Sequence, residues 1–201
     1  MAEGKWVSWN VRGLGGAEKR REVKDAIRKD NPDVVLLQET KLGPHRLKVI
    51  ETFSQFLNMN FDVIPANVFA GGLLSLWKYT VIMVENVIKI KRFLGLWVKF
   101  NTVDWQGLIG NVYGPNLEEE RSPFFASMSD IIATVGDGVC LLGGDFKAVM
   151  NQGERSGSPN VVDANFYNFV GSHNLIDLPL QNSRFTWYNS RDDGLWCRID
   201  R

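Results

Sequence analysis

Asp33-Val34-Val35-Leu36-Leu37-Gln38-Glu39 decides the fold. Side chains on a strand alternate faces, so four consecutive aliphatic residues leave neither face for water. The run reads as a short strand buried on both faces. Asn31-Pro32 precedes it and stops any helix there. It ends in an amide and a carboxylate, which a rigid strand end would hold at a rim that water can reach.

Working toward the N-terminus, Glu18 to Asn31 is charged except for Val23, Ala26 and Ile27. Their i, i+3, i+4 spacing is one narrow apolar stripe on a surface helix. Before it, Lys5-Trp6-Val7-Ser8-Trp9-Asn10-Val11 alternates large apolar and polar residues as a strand does, and Gly13-Leu14-Gly15-Gly16 breaks it. A glycine-rich turn after a strand also suits a dinucleotide, but Glu18 stands where the third glycine belongs, so no dinucleotide cofactor is expected. Lys19, Arg20 and Arg21 read as a solvated helix face in preference to a phosphate-tracking patch.

Working toward the C-terminus, strand signals follow one another: Phe61–Ile64, Leu73–Trp77, Val81–Ile90, Leu96–Phe100 and Leu108–Tyr113. Strand after strand implies antiparallel hairpins. A helix is expected next, capped by Ser122 with Pro123 in its first turn, and with Phe124, Met128, Ile131, Ile132 and Val135 inward. Val139–Leu142 reads as another buried strand, leading into Gly143-Gly144-Asp145. Asp163 is placed to cap a third helix with Phe166, Phe169 and Val170 inward. Arg184–Tyr188 reads as a strand, and Cys197–Arg201 as part of another. The fold class is α+β, with two packed, mainly antiparallel sheets and helices outside, in a single domain over residues 1–201.

Composition narrows the function classes. Hydrophobic residues at 44% and charged residues at 23% are ordinary for a globular domain, and seven Trp with twelve Phe exclude intrinsic disorder. No apolar stretch approaches the ~20 residues of a membrane span, so no membrane partner is expected. Cys140 and Cys197 have no zinc-site spacing and read as reduced thiols, which suits a nuclear or cytoplasmic protein. Net charge is zero, yet residues 1–50 carry eleven Lys/Arg against seven Asp/Glu, and residues 118–201 carry seven against twelve. That asymmetry is either scatter on a solvated surface or a polarity with a purpose.

Three predicted strand ends present polar groups: Asn10, Glu39 and Asp145. An amide and two carboxylates suit a hard divalent cation such as Mg²⁺, which takes oxygen ligands and keeps several waters. Each alone is also an ordinary turn or cap residue, and Tyr113, on an apolar strand, is also ordinary packing.

Five motifs occur in order: Trp9-Asn10-Val11-Arg12-Gly13, Leu37-Gln38-Glu39-Thr40, Asn111-Val112-Tyr113-Gly114-Pro115, Gly144-Asp145-Phe146 and Arg198-Ile199-Asp200. With these the chain resembles the endonuclease/exonuclease/phosphatase superfamily. Within it the chain most resembles the apurinic-endonuclease-like endonuclease domains of plant LINE-type non-LTR retrotransposons, a likeness strengthened by Gly71-Gly72-Leu73, Glu154-Arg155-Ser156-Gly157 and Phe185-Thr186-Trp187. The resemblance implies a four-layered α/β-sandwich, cleavage of DNA phosphodiesters with Mg²⁺ or Mn²⁺, and a monomer. Carried onto this sequence, it makes Glu39 the main metal ligand, with Asn10 beside it on the metal shell or phosphate. Tyr113 contacts the scissile phosphate, and Asp145 aligns or deprotonates the attacking water.

The sequence departs from the family pattern twice. Lys147 stands where the pattern has Asn. The family's catalytic His belongs to a Ser-Asp-His motif after the Arg-Ile-Asp segment, and the sequence up to Arg201 has none. Asp200 resembles the Asp that orients that His. His45 and His173 lie outside every motif and read as surface residues. The reading is therefore an endonuclease incomplete at its C-terminus and impaired. Its alternatives are a non-catalytic remnant that keeps nucleic-acid or metal binding, and a phosphatase acting on a small phosphate ester.

Overall fold

The computed structural model describes residues 4–67, 71–101, 103–157, 162–190 and 194–201. In chain order the elements are β1 (Trp6–Asn10), α1 (Ala17–Asp30), β2 (Val34–Gln38), α2 (Leu47–Leu57), β3 (Asn60–Ile64), β4 (Leu73–Trp77) and β5 (Ile82–Ile90). They continue with β6 (Phe93–Phe100), β7 (Gln106–Tyr113), α3 (Arg121–Ala133), β8 (Val139–Asp145), α4 (Ala164–Ser172), β9 (Trp187–Tyr188) and β10 (Trp196–Cys197). The chain forms two compact units, Met1–Tyr113 with Asp137–Gly144, and Gly114–Gly136 with Asp145–Arg201.

The first unit contains two sheets, ordered β1-β2-β4-β3 and β5-β6-β7-β8. β1 and β2 run parallel, and α1 supplies the crossover that a parallel pair requires. The pairs β2/β4, β3/β4, β5/β6 and β6/β7 are antiparallel, as the succession of strands implied. β2 is buried on both faces throughout, and its alternation divides the core. Val35 and Leu37 face α1 and α2, packing with Val23, Ile27, Ile50 and Phe53. Val34 and Leu36 face the other sheet, packing with Ile82, Leu96, Val98 and Ile109. β8 runs against β7 so closely that a Cβ on Gly144, at φ +153°, would stand 2.0 Å from the Val112 carbonyl oxygen.

In the second unit α3 and α4 meet through aromatic rings, with Phe125 5.5 Å from Phe166 and 5.1 Å from Phe169. Asp163 caps α4 as expected, accepting from the Phe166 N–H at 3.0 Å. β9 and β10 pair antiparallel. A buried ionic network ties the last residues down. Glu154 accepts from the Arg201 guanidinium at 2.6 Å and from the Met150 N–H at 2.7 Å, while Arg198 reaches Asp177 at 2.8 Å.

Several expectations need correcting. α2 was not expected at all. Ser122 is not a cap, because a 3₁₀ turn over Glu118–Glu120 runs directly into α3, which starts at Arg121. Val135 is buried but lies beyond the end of α3. The strand expected over Arg184–Tyr188 shrinks to Trp187–Tyr188, with the Thr186 N–H still donating to the Cys197 carbonyl at 2.9 Å and the Arg184 side chain turned to the Gly153 carbonyl. His173 is half-buried, bonded to Ser129 at 2.8 Å and packed edge-on to Phe169. His45 is exposed as expected. On the helix face read as solvated, Arg21 is exposed, while Arg20 is half-buried and donates to the Leu14 and Gly15 carbonyls at 2.9 and 2.6 Å. Among the described residues no helix is long and apolar enough to cross a membrane.

Candidate active site

Three of the predicted residues meet in the first unit. Asn10 ends β1, Glu39 follows β2, and Tyr113 ends β7. The Asn10 amide donates to Glu39 Oε1 at 2.9 Å, and the Tyr113 hydroxyl donates to the same oxygen at 3.1 Å. The Lys41 ammonium stands 3.9 Å from the other carboxylate oxygen. Parallel pairing sets Asn10 opposite Gln38, so the two chains leave the sheet together. Both then turn through left-handed backbone, Arg12 at φ 52°, Glu39 at 52° and Lys41 at 53°. Such a conformation costs about 1 kcal/mol or more for a residue with a Cβ and recurs where function fixes geometry. The Arg92 guanidinium lies 5.6 Å from the Tyr113 ring centre, and its carbonyl accepts the Tyr113 N–H at 2.9 Å. Lys41 and Arg92 were not singled out from sequence, because a cation in a loop has no periodic signal.

The second unit holds the other candidates. Asp145 is the last residue of β8 and is 1% exposed. Lys147 reaches back to it, with Nζ 2.6 Å from Oδ2 and its N–H 3.2 Å from Oδ1. Lys147 is left-handed, at φ 56°. Asp145 and Asp200 form an isolated antiparallel bridge, with the Phe146 N–H donating to the Ile199 carbonyl at 2.8 Å. Arg121 pairs with Asp163 and donates to the Lys147 carbonyl at 2.9 Å. A 220 Å³ pocket here is lined by Asn116, Arg121, Lys147, Trp187, Cys197 and Ile199.

The donors suit a hard cation. Glu39 offers a carboxylate, the ligand type of Mg²⁺, which is commonly bound through one or two carboxylates and retains its waters. Asn10 turns its amide N–H toward Glu39, while its amide oxygen accepts the Arg12 N–H at 3.1 Å. A soft thiolate site is not in prospect. Burial pushes the Cys140 thiol up to about 11, and burial raises Cys197 too despite nearby Arg155. Among the described residues no three His, Cys, Asp or Glu side chains gather as a metal cage.

The sequence pattern of the Endonuclease/Exonuclease/phosphatase family matches residues 7–201. The chain belongs to this family. No curated protein sequence matches it. Among solved structures it is similar to an AP endonuclease from Leishmania major, with TM-score 0.76 and 16% identity over 98% of this chain and 77% of that one. It is also similar to TDP2 of D. rerio complexed with a single-strand DNA product, at 0.66 and 18% over 100% and 83%. A mannosyl-6-phosphatase from Bacteroides thetaiotaomicron gives 0.61 and 11% over 85% and 71%. These likenesses establish the α+β sandwich of the family, whose members hydrolyse phosphodiester or phosphate ester bonds.

Proposed function

We propose that the chain is a divalent-metal-dependent DNA endonuclease of the LINE retrotransposon type. The observation that carries this reading is the Glu39 carboxylate gripped by Asn10 and Tyr113 at three strand ends. Glu39 would hold the cation, with Asn10 on its shell. A Mg²⁺ ion bound there supplies positive charge against the phosphoryl oxygens. The Tyr113 hydroxyl, already aimed into the cluster, turns its proton toward a phosphate oxygen. Asp145 accepts a proton from the attacking water, and general-base help of this kind is worth ~10²–10⁴ in rate. Asp200 stands where the family has the Asp that orients its catalytic His, and it has no such His to orient among these residues.

Activity is expected to be impaired at Asp145. The Lys147 ammonium, 2.6 Å away, occupies one Asp145 oxygen and so competes with the attacking water for it. The cations Lys41 near Glu39 and Arg92 near Tyr113 suit a polyanion better than a small ester, which supports DNA over the phosphatase reading.

The test is Mg²⁺-dependent nicking of supercoiled plasmid, run beside phosphate release from a soluble monoester, for wild type and Glu39→Ala. Mn²⁺ binding is followed in parallel by paramagnetic broadening. Slow nicking that Glu39→Ala abolishes, with Mn²⁺ affinity reduced tenfold or more, is the expected result. Equal Mn²⁺ affinity in the two proteins removes Glu39 as the ligand, and ester hydrolysis without nicking replaces DNA as the substrate.

A further inference from the structure

Two of the motif residues have no part in the chemistry above, and both are amides at 0% exposure. Gln38 closes β2 one residue before Glu39. Asn111 lies in β7 two residues before Tyr113, on the same strand face. They meet between the two sheets of the first unit. Gln38 Nε2 donates to Asn111 Oδ1 at 2.8 Å, and also to the Leu36 carbonyl at 3.0 Å and Ser8 Oγ at 3.3 Å. Asn111 Nδ2 lies 3.3 Å from the Leu37 carbonyl, 3.2 Å from that of Leu74 and 3.2 Å from Ser75 Oγ. Leu37 and Leu74 are register partners of β2 and β4, so one amide from the second sheet grips a matched pair in the first.

This arrangement is a poor way to stabilise a core. Buried amides lose their hydration, and Gln38 Oε1 is buried with no hydrogen-bond partner. Leu, Val and Ile fill the same interface elsewhere at no such cost. Apolar contacts are non-directional, however, and tolerate small slides of one sheet over another. Hydrogen bonds with 2.8–3.3 Å reach do not. The slide that matters is at the strand ends, because the Tyr113 hydroxyl must span from the second sheet to Glu39 on the first.

We propose that Gln38 and Asn111 are positioning residues: their amide clamp fixes the register of the two sheets so that Tyr113 meets Glu39. The catalytic consequence rests on the metal-site reading above, but the geometric claim does not.

The experiment separates them. The triple variant Gln38→Met, Ser75→Ala, Asn111→Leu replaces the three buried polar side chains by apolar residues of similar size and leaves exposed Ser8 in place, and Gln38→Met alone is the milder change should the triple fail to fold. In each background the coupling between Tyr113→Phe and Glu39→Gln is measured by a double-mutant cycle on urea unfolding. In wild type the cycle is expected to show a coupling of at least threefold in the unfolding constant. The triple variant is expected to unfold at equal or higher urea, yet to lose that coupling, with Gln38→Met intermediate. Mg²⁺-dependent kcat then falls at least tenfold with KM for DNA little changed, and Mn²⁺ affinity weakens. Undiminished coupling in either folded background overturns the clamp. Lost coupling with unchanged Mn²⁺ binding and nicking leaves the clamp standing and overturns the catalytic role of the Tyr113–Glu39 contact.

Discussion

Lys147 combines two features that pull against each other. Its backbone is left-handed, at φ 56°, where Asn is the favoured non-glycine residue, and its ammonium neutralises a carboxylate that is 1% exposed. Replacing it by the family's Asn would relieve the backbone by at most ~1 kcal/mol. Breaking a buried pair costs ~3–5 kcal/mol, reduced here because Lys147 is 17% exposed and Asp145 keeps the N–H of residue 147. The lost pair wins. Lys147→Asn is expected to be less stable by about 2 kcal/mol in urea unfolding. Per folded molecule it should nick plasmid several-fold faster, because the ammonium no longer competes with water for Asp145 Oδ2. A variant both more stable and slower would mean that Lys147 serves the phosphate instead.

At the scale of elements, Asp33 staples three strand ends. One carboxylate oxygen accepts the Lys5 N–H at 2.9 Å and the other pairs with the Lys78 ammonium at 3.0 Å, joining the starts of β1 and β2 to the end of β4. Burial works against the charge, but the Lys5 N–H and the Lys78 ammonium outweigh it, so the carboxyl titrates below its ordinary value. A depressed carboxyl contributes stability above its unfolded-state value and loses it as pH falls through the folded one. Asp33→Asn is therefore expected to lose about 1–2 kcal/mol at pH 7. The gap from wild type should close in unfolding curves taken as pH falls from about 4 toward 2; a gap independent of pH would assign the loss to packing. These strand ends were legible in sequence because β2 is an unbroken aliphatic run that Pro32 introduces. α2 was missed. No side chain caps it, its first turn holds no acidic residue, and Val49, Ile50 and Thr52 are β-branched. What marked it was periodicity alone: Ile50, Phe53 and Leu57 recur at i, i+3 and i+7, and this stripe packs against α1 and the sheet. The site divides likewise. Asn10, Glu39 and Tyr113 end apolar strands and could be read, whereas the pairing of Gln38 with Asn111 spans 73 residues of chain.

For the molecule as a whole, zero net charge means that no global field draws it to DNA. Any affinity must come from local cations, and the acidic excess over residues 118–201 opposes it. The cations adjoining the first unit's cluster are Arg12, whose N–H donates to Asn10, Lys41 beside Glu39, and Arg92 over Tyr113. Each phosphate that a cation neutralises releases condensed counterions, and the logarithm of the binding constant falls with the logarithm of salt by about 0.9 per contact on duplex DNA. Three contacts give a slope of about −2.7, shallow beside proteins that bind through six to ten phosphates. Binding of a short duplex in Ca²⁺, followed by fluorescence anisotropy from low to moderate salt, measures it. Arg92→Ala is expected to reduce the slope by about 0.9 and to weaken binding equally for unrelated sequences, as a backbone contact does. Lys24→Ala is the control, because that ammonium already lies over the Phe53 and Phe56 rings on α2 and should leave the slope unchanged. A steep slope in wild type that Arg92→Ala leaves intact would put the DNA on some other face of the protein.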